Sequence, residues 1–309
     1  MTLQKQKQDK MHQEKNQNKN KQHVPVMLAE VLQLLSPKKG ETYLDLTAGY
    51  GGHAKAITDL TGSLTTAVLI DRDKNAVDEL QKVFNNAADI RQEDFLSASR
   101  SLHSEGQQFD LILADLGVSS PHLNLNSRGF AIKTSGPLDM RMDQSQELTA
   151  ETIVNSYSED DLTDILKRYG EEPKSRSIAR AIIGARPLRN TGELAAIVQK
   201  AWPGYSRVHP ATRTFQALRI AVNDELSLLE HSLPLWLRLL KPGGRIAIIS
   251  FHSLEDRLVK QTFSEASGDR FDAELKLLTK RPFTASHQEI AFNPRARSAK
   301  LRAAVKIKK

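Results

Sequence analysis

The segment Leu44–Ala54, LDLTAGYGGHA, constrains the fold most, because a glycine-rich turn directly follows a buried apolar strand. The pattern predicts a strand over residues 42–48 and a helix over 52–62. The same alternation continues with predicted strands at 65–71, 88–92 and 109–116 and a helix at 74–86. Continuous apolar strands that alternate with helices predict a parallel sheet covered on both faces. The sequence therefore predicts a doubly wound α/β domain.

The alternation is interrupted in the middle of the chain. After Leu116 it stops, and helical patterns occupy residues 147–168 and 174–201. It resumes with a helix at 224–240 and strands at 245–251, 272–278 and 301–307. We therefore expect a sheet domain formed by residues 23–122 and 223–309, with a helical insert at 123–222.

The net charge of +7 is concentrated at the two ends of the chain. Residues 1–22 carry a net charge of +4 and have few apolar side chains, which predicts a disordered basic tail. The last fifteen residues carry +7, so the remaining residues together carry −4. Charge at the ends alone is weak support for a nucleic-acid partner.

Cysteine is absent from the 309 residues. Its absence excludes disulfides, thiolate zinc sites, iron–sulfur clusters and a cysteine nucleophile. The sequence also lacks an apolar run long enough to span a membrane, and the N-terminus has no signal-peptide core. We expect a cytoplasmic protein with no membrane partner.

The glycine turn admits two classes of nucleotide. A phosphate-binding P-loop needs Lys followed by Ser or Thr at the end of the loop, and this turn lacks that order. Gly49, Gly51 and Ala54 fit the dinucleotide pattern, and Asp71 ends the next strand, where an acid can bind a ribose. These residues by themselves leave NAD and S-adenosylmethionine as equal alternatives.

Three further features favour S-adenosylmethionine. Asp45 lies at the mouth of the turn, where a carboxylate disfavours an anionic pyrophosphate. Asp94 and Phe95 follow the third predicted strand, where an acid can accept from an adenine amino group and a ring can stack on it. The segment LKPGGRIAIIS before a late strand is frequent in class I methyltransferases. Helix N-capping is the alternative role for Asp45 or Asp94.

Long motifs in the chain resemble one family. They are DLGVSSPHLNLNSRGFA (115–131), GEEPKSRSIARAI (170–182), HPATRTFQALRIAVNDEL (209–226), SFHSLEDRLVK (250–260) and NPRARSAKLR (293–302). Together they resemble the bacterial small-subunit ribosomal RNA cytosine-N4 methyltransferases, the MraW/RsmH family. The resemblance implies a Rossmann-like class I methyltransferase domain that uses S-adenosylmethionine, with an inserted helical substrate domain. It also implies a cytidine in the decoding region of 16S ribosomal RNA, within the small ribosomal subunit, as the target.

The resemblance also implies which residues contact the cofactor. The contacts carried over to this sequence are Gly51, Gly52, His53, Asp71, Phe95, Asp115 and His122. Most family members have Gln at the last of these positions. A neutral imidazole replaces one amide hydrogen bond but cannot supply a donor and an acceptor in the same plane.

The carboxyl end of the fourth predicted strand is the expected site of chemistry. Asp115 is the predicted acceptor facing the cofactor or the amine, and Ser119 and Ser120 are expected to shape the pocket. His252, after the fifth strand, is expected to help bind the base, whereas Glu255 and Arg257 are interpreted as an ion pair with each other. No spacing of His, Asp and Glu predicts a metal. Without cysteine, carbon-5 and radical methylation are excluded, and exocyclic nitrogen methylation remains.

The second half of the insert is predicted to bind RNA. Residues 174–219 contain nine basic residues and one acid, whereas residues 123–173 contain ten acids and five basic residues. Guanidinium groups there could bind phosphates, and the candidates are Arg176, Arg180, Arg207, Arg213 and Arg219. A solvated helical face is the alternative interpretation. Two other functions stay open at this point, an NAD-dependent oxidoreductase and a non-catalytic ribosome-binding module, and so does the oligomeric state, with a homodimer as one alternative.

Overall fold

The computed structural model describes residues 25–119, 123, 125–202, 208–268 and 271–308. The predicted basic tail and the candidates Ser120, His122 and Arg207 lie outside these residues. The strands are β1 (Tyr43–Asp45), β2 (Ala67–Asp71), β3 (Asp89–Gln92), β4 (Phe109–Asp115), β5 (Leu240–Ser250), β6 (Leu275–Leu277), β7 (Phe283–Thr284) and β8 (Lys300–Lys306).

The helices before the interruption are α1 (Leu28–Leu35), α2 (Gly52–Thr61), α3 (Lys74–Phe84) and α4 (Phe95–Ser104). The helices within it are α5 (Ala150–Ser156), α6 (Glu159–Gly170), α7 (Ser175–Gly184), α8 (Thr191–Ala201) and α9 (Thr212–Asn223). After it come α10 (Glu225–Leu239), α11 (Ser253–Glu265) and α12 (His287–Phe292).

The strands form one sheet in the order β3-β2-β1-β4-β5-β8-β6, with β7 paired to β8. Strands β1 to β5 pair in parallel, and β8 is antiparallel to β5 and to β6. Alternate side chains of β4 enter different cores: Ile112 packs with Trp236 of α10, whereas Leu111 packs with Ile57 of α2. Both faces are covered, which explains the continuous apolar strands. The predicted Rossmann-like α/β fold is confirmed.

Helices α5 to α9 pack around a core of their own. Buried apolar side chains from these helices, such as Ile153, Leu166 and Leu218, contact one another rather than the sheet. Phe130 and Met140, from the loop that precedes α5, belong to the same core. We refer to this loop together with α5 to α9 (residues 125–223) as the helical cluster. The predicted insert boundaries at 123 and 222 stay a prediction.

Two sheet elements differ from the sequence prediction. β1 ends at Asp45 because the Asp45 side chain accepts a hydrogen bond from the Thr47 amide (3.2 Å), which turns the chain. The KPGG segment, expected to be a turn, lies within β5, where the register with β4 shifts between Phe109 and Leu111. A β-bulge therefore accommodates the two glycines of this segment.

The basic C-terminal residues are part of the sheet. Arg302 and Lys300, on β8, both pair with Asp256 of α11, at 2.7 and 3.1 Å. The Lys306 ammonium donates to the Leu237 carbonyl (2.7 Å). Three of the cationic side chains near the C-terminus are therefore engaged in contacts within the protein. Within the described ranges, no helix is long and apolar enough to cross a membrane.

A test of the helical cluster uses Gly136, in the loop before α5. A Cβ there would overlap the carbonyl oxygen of Asn126, whereas a Cβ on Gly184, at the end of α7, would meet nothing within 4 Å. We expect Gly136→Ala to lower the free energy of unfolding by roughly 1–3 kcal/mol, the usual cost of overpacking. Gly184→Ala is the control and should leave it unchanged or slightly higher. Equal denaturant midpoints for the two variants would contradict this account of the loop.

Candidate active site

A large cavity opens at the carboxyl ends of β1, β2, β4 and β5. Its volume is about 590 Å³, within the range of small-molecule sites. The sheet contributes the residues that directly follow its strands, and the helical cluster contributes Phe130, Met140, Met142 and Phe215. The cavity therefore lies between the sheet edge and the helical cluster, where open α/β sheets bind their ligands.

The glycine turn is fixed by Asp71. One oxygen of its carboxylate accepts from the Gly49 amide and the other accepts from the Asp73 amide, both at 2.8 Å. Gly49 and Gly51 have φ angles of 54° and 82°, which glycine adopts without strain. Gly52 lacks room for a side chain, because a Cβ would lie 2.6 Å from a Pro25 ring carbon.

Asp45 and Gly51 do not line the cavity. The Asp45 carboxylate is 1% exposed and accepts from the Tyr43 hydroxyl (2.6 Å) and the Thr47 amide. Burial raises the pKa of Asp45 to about 7. These contacts indicate that Asp45 orients the turn, and its contact with the cofactor stays a prediction. Gly51 is instead the N-cap of α2, packed under Phe84.

Two acids follow β3, and within the described part of the chain only the Asp94 carboxylate accepts hydrogen bonds from the protein. Asp94 caps α4: one carboxylate oxygen accepts from the Leu96 and Ser97 amides, and the other accepts from the Ser97 hydroxyl. Glu93 lines the same cavity, and burial raises its pKa above the ordinary value. Phe95 also lines the cavity and makes an edge-to-face contact with Trp236, with ring centroids 5.5 Å apart. Glu93, not singled out from the sequence, is thus better suited than Asp94 to accept from a ligand.

Asp115 ends β4 at the cavity wall. Its Oδ1 atom is buried and has no hydrogen-bond partner within the described part of the chain. Its Oδ2 lies 3.7 Å from His53 Nδ1, and its amide donates to the Thr47 hydroxyl (2.6 Å). Burial raises the pKa of Asp115 well above the ordinary range, and the charges of Asp45 and Glu255 raise it further. An oxygen of this kind is expected to need a ligand donor.

His53 has a defined orientation. Its Nε2 lies 3.0 Å from the Val26 carbonyl oxygen, and since a carbonyl only accepts, Nε2 carries the proton in this contact. In the neutral imidazole, Nδ1 is then the acceptor nitrogen, and it is the one that faces Asp115.

A buried charged group borders the opposite side of the cavity. The Arg219 guanidinium binds Glu225 through two hydrogen bonds, from Nε (2.9 Å) and Nη2 (2.8 Å). Although burial opposes the charged form, Glu225 and Glu255 raise the pKa of Arg219. Burial also opposes ionisation of Glu255, but His252 and Arg219 hold its pKa below the ordinary value. All four side chains line the cavity.

His252 is the N-cap of α11. Its Nδ1 accepts from the Glu255 amide (3.3 Å), and the Glu255 carboxylate accepts from the Phe251 amide (2.7 Å). The predicted pair of Glu255 with Arg257 is wrong, because Arg257 instead binds Glu171 of the helical cluster (2.9 Å). Glu225, His252 and Glu255 could together contact a cation, but both Glu225 oxygens already bind Arg219.

The arginines predicted to bind RNA occupy different surroundings. Arg176 and Arg180, on α7, are exposed but pair with Asp160 (3.2 Å) and Glu159 (2.8 Å) at the start of α6. Segregation of charge along the sequence is therefore lost where α6 packs against α7. Arg213 is exposed, and its Nη1 donates to the Glu171 carbonyl (3.1 Å). Arg219 is not on this surface, since it is 15% exposed and lies in the cavity wall.

Several cavity residues were not singled out from the sequence. They are Pro25, Val26, Tyr50, Glu93, Phe215, Gln216, Glu225, Leu229, Phe251, Arg295 and Ser298, among others. Six of these residues fall within the long motifs that carry the family resemblance: Phe215, Gln216, Glu225, Phe251, Arg295 and Ser298. Of the predicted candidates, Gly49, Gly52, His53, Asp71, Asp94, Phe95, Asp115, Ser119, Arg219 and His252 line the cavity.

Solved structures are only distantly similar to the chain. A ribosomal RNA methylase from Streptococcus thermophilus is 10% identical, with a TM-score of 0.43 over 93% of this chain and 99% of that one. The strand order of the sheet shows the α/β fold.

Sequence relatives cover nearly the whole chain. Ribosomal RNA small subunit methyltransferase H of Synechocystis sp. is 48% identical over 92% of this chain and 93% of that protein. The protein of the same name from Halothermothrix orenii is 43% identical, over 93% and 99% of the two chains. The model of the MraW methylase family matches residues 20–307. The chain therefore belongs to the MraW methylase family, as the resemblance predicted, and is an S-adenosylmethionine-dependent methyltransferase.

Proposed function

We propose that this enzyme methylates the exocyclic N4 amine of a cytidine in the decoding region of 16S ribosomal RNA. The observation that carries the proposal is Asp115 Oδ1, a buried acceptor that has no hydrogen-bond partner among the described residues and lies at the edge of a cavity of about 590 Å³. An exocyclic amine offers the N–H donor that this oxygen lacks. We also propose that the substrate RNA lies in the small ribosomal subunit and that the enzyme acts on it in the cytoplasm.

The residues that line the cavity fit S-adenosylmethionine. Asp71 ends β2 at the cavity wall, where a carboxylate can accept from a ribose hydroxyl. Phe95 provides an apolar wall for adenine, and Glu93 provides an acceptor for the adenine amine. When bound, the cofactor would supply an electrophilic methyl group on a sulfonium centre, whose sulfur would take the electron pair of the methyl–sulfur bond that breaks on transfer. NAD is not favoured, since the family is one of methylases, and neither is a non-catalytic module, since the acids of the cavity are present.

Asp115 is the residue that acts on the amine. The cytosine amino group is a poor nucleophile because its lone pair is delocalised into the ring. A hydrogen bond from the amine to Asp115 Oδ1 orients the nitrogen and stabilises the positive charge that develops as the N–C bond forms. The amine then loses a proton, and Asp115, which already accepts a hydrogen bond from the amine, accepts that proton. Asp115 must therefore be ionised before transfer, so activity should fall as pH drops through its raised pKa.

The neighbours of Asp115 define its orientation. His53 Nδ1 faces Asp115 Oδ2, and we propose that it shares the proton that Asp115 accepts. The Thr47 hydroxyl accepts from the Asp115 amide and so fixes the end of β4. His252 holds the start of α11 through its contacts with Glu255, and we assign it a positioning role at the base side of the cavity. Ser119 lines the cavity beside this site.

The exposed arginines of α7 remain candidates for contact with RNA phosphates. Exposed ion pairs contribute little to stability, so Arg176 and Arg180 could exchange their carboxylate partners for phosphates at small cost. Arg213, on α9, is also exposed and has donors beyond its contact with the Glu171 carbonyl at the end of α6.

The cofactor assignment is tested at Asp71. Asp71→Ala removes the ribose acceptor and the anchor of the Gly49 amide, so affinity for S-adenosylmethionine should fall by roughly one to two decades. Asp78→Ala, which removes an exposed acid of α3, is the control and should bind normally. Calorimetric titration gives both affinities. Unchanged affinity in Asp71→Ala, or tight NADH binding by the unmodified protein, would overturn the assignment.

The reaction is tested by nucleoside analysis. Small-subunit particles incubated with enzyme and methyl-labelled cofactor should yield label on N4 of cytidine. Asp115→Asn should lower turnover by roughly 10²–10⁴, since a proton acceptor is lost, while folding normally. Asp110→Asn, at the opposite end of β4, is the control. Cofactor affinity is measured separately for each variant. Label at carbon 5, or full turnover in Asp115→Asn, would contradict the proposal.

The RNA contact is tested by its salt dependence. Arg176→Ala with Arg180→Ala should weaken RNA binding and reduce the log–log salt slope by somewhat less than about one per lost phosphate contact. The charge-matched control is Lys74→Ala with Lys82→Ala, two exposed and ion-paired cations on α3. If both double variants keep the slope of the unmodified protein, α7 is a solvated face.

A further inference from the structure

We propose that Arg219 recognises the target base, by donating from Nη1 to the O2 and N3 acceptors of the cytosine whose amine Asp115 holds. This inference rests on the proposed function and assigns to Arg219 a role different from the phosphate contact predicted from the sequence.

The first observation is the geometry of the guanidinium. Two of its nitrogens, Nε and Nη2, are engaged with Glu225, so the planar group is held in one orientation. Nη1 makes no hydrogen bond within the described residues and lies 4.0 Å from the position that a Cβ on Gly117 would take. Gly117 and Arg219 both line the cavity. A fixed donor with no protein partner therefore borders the open space beside the end of β4.

The second observation is the division of the cavity. Asp71, Glu93 and Phe95 follow β2 and β3, and these residues fit the adenosine part of the cofactor. Gly117 and Phe251 follow β4 and β5, and a Cβ on Gly117 would lie near both the Phe251 ring and Arg219 Nη1. Because the strand order is β3-β2-β1-β4-β5, these two groups are at opposite ends of the cavity. Asp115 lies between them, where the methyl group must meet the amine.

The third observation is the match to the edge of the base. Cytosine presents a donor at N4 and acceptors at N3 and O2, whereas uracil presents an acceptor at its position 4 and a donor at N3. Asp115 supplies an acceptor and Arg219 a donor that cannot become an acceptor. The pair therefore accepts cytosine and rejects uracil, which would place a carbonyl against a carboxylate and an N–H against a guanidinium. An enzyme that acts on a base extruded from a helix reads this edge.

The charged neighbours of Arg219 support a recognition role. Glu225 and Glu255 keep it cationic in a buried place, so it can donate at any physiological pH. The ion pair with Glu225 offsets the free-energy cost of burying the Arg219 charge, so this offset does not depend on a bound substrate. The site is therefore formed before the base binds.

The test uses Arg219→Lys, which keeps the charge and can still pair with Glu225 but lacks the second arm of the fork. The control is Arg245→Lys. Arg245 makes an equivalent two-armed pair with Glu41, at 2.8 Å for both contacts and with similar exposure, remote from the cavity. The substrates are small-subunit RNA with cytidine or 2-thiocytidine at the methylated position, since sulfur is a weak acceptor. The measurements are kcat/KM, cofactor affinity and the unfolding midpoint.

We expect Arg219→Lys to lower kcat/KM on the cytidine substrate roughly ten- to hundredfold, with cofactor affinity within about twofold of the unmodified enzyme. The thio substitution should slow the unmodified enzyme and Arg245→Lys but should cost Arg219→Lys little more, because the two changes remove the same contact.

Four outcomes would overturn the inference. They are full activity of Arg219→Lys, an equal loss in Arg245→Lys, additive effects of variant and thio substitution, and a large loss of cofactor affinity, which would assign Arg219 to the cofactor carboxylate. If the unmodified enzyme does not methylate cytidine N4, the proposed function fails instead, which the same assay shows directly.

Discussion

The buried ion pair between Arg128 and Asp73 is the contact on which the site depends. Arg128 comes from the helical cluster and Asp73 from the turn after β2, and their side chains are 5% and 3% exposed. Arg128 also donates to the carbonyls of Arg141 (3.0 Å) and Met142 (2.8 Å). Asp73 in turn donates its amide to Asp71, which anchors the glycine turn. Separating Arg128 from Asp73 would leave an uncompensated buried charge, which is costly. The pair therefore holds the helical cluster against the turn after β2.

Several acids lie in or beside the cavity, and burial favours the protonated form of each. Asp45 and Asp115 end neighbouring strands, and burial raises the pKa of each; the charge of Asp71 raises the pKa of Asp45 further, and that of Asp45 raises the pKa of Asp115. Arg219 balances Glu225 and Glu255 on the base side. The free-energy cost of these groups is characteristic of functional sites, where residues are retained for chemistry and not for stability. A cationic ligand beside Asp115 would favour its ionised form, the one needed to accept a proton.

The fold could be predicted from the sequence, because apolar strand segments and helix-terminating glycines are local signals that are visible in a single sequence. The sequence also located Asp71 and Asp115, since acids at strand ends converge at one edge of a parallel sheet. It could not place Arg219, because whether an arginine on a helix faces solvent or a cavity depends on how α9 packs. The same limit explains the RNA prediction: acids and arginines far apart in sequence meet where α6 packs against α7.

The central claim is that one cavity holds the cofactor at Asp71 and the target cytosine between Asp115 and Arg219. A structure of the complex with the demethylated cofactor product and a short cytidine-containing RNA tests it most directly. The account predicts the ribose hydroxyls on Asp71, the cytosine amine within hydrogen-bond distance of Asp115 Oδ1, and the base carbonyl on Arg219 Nη1. A cytosine bound with its amine away from Asp115, or a cofactor whose carboxylate occupies Arg219, would contradict it.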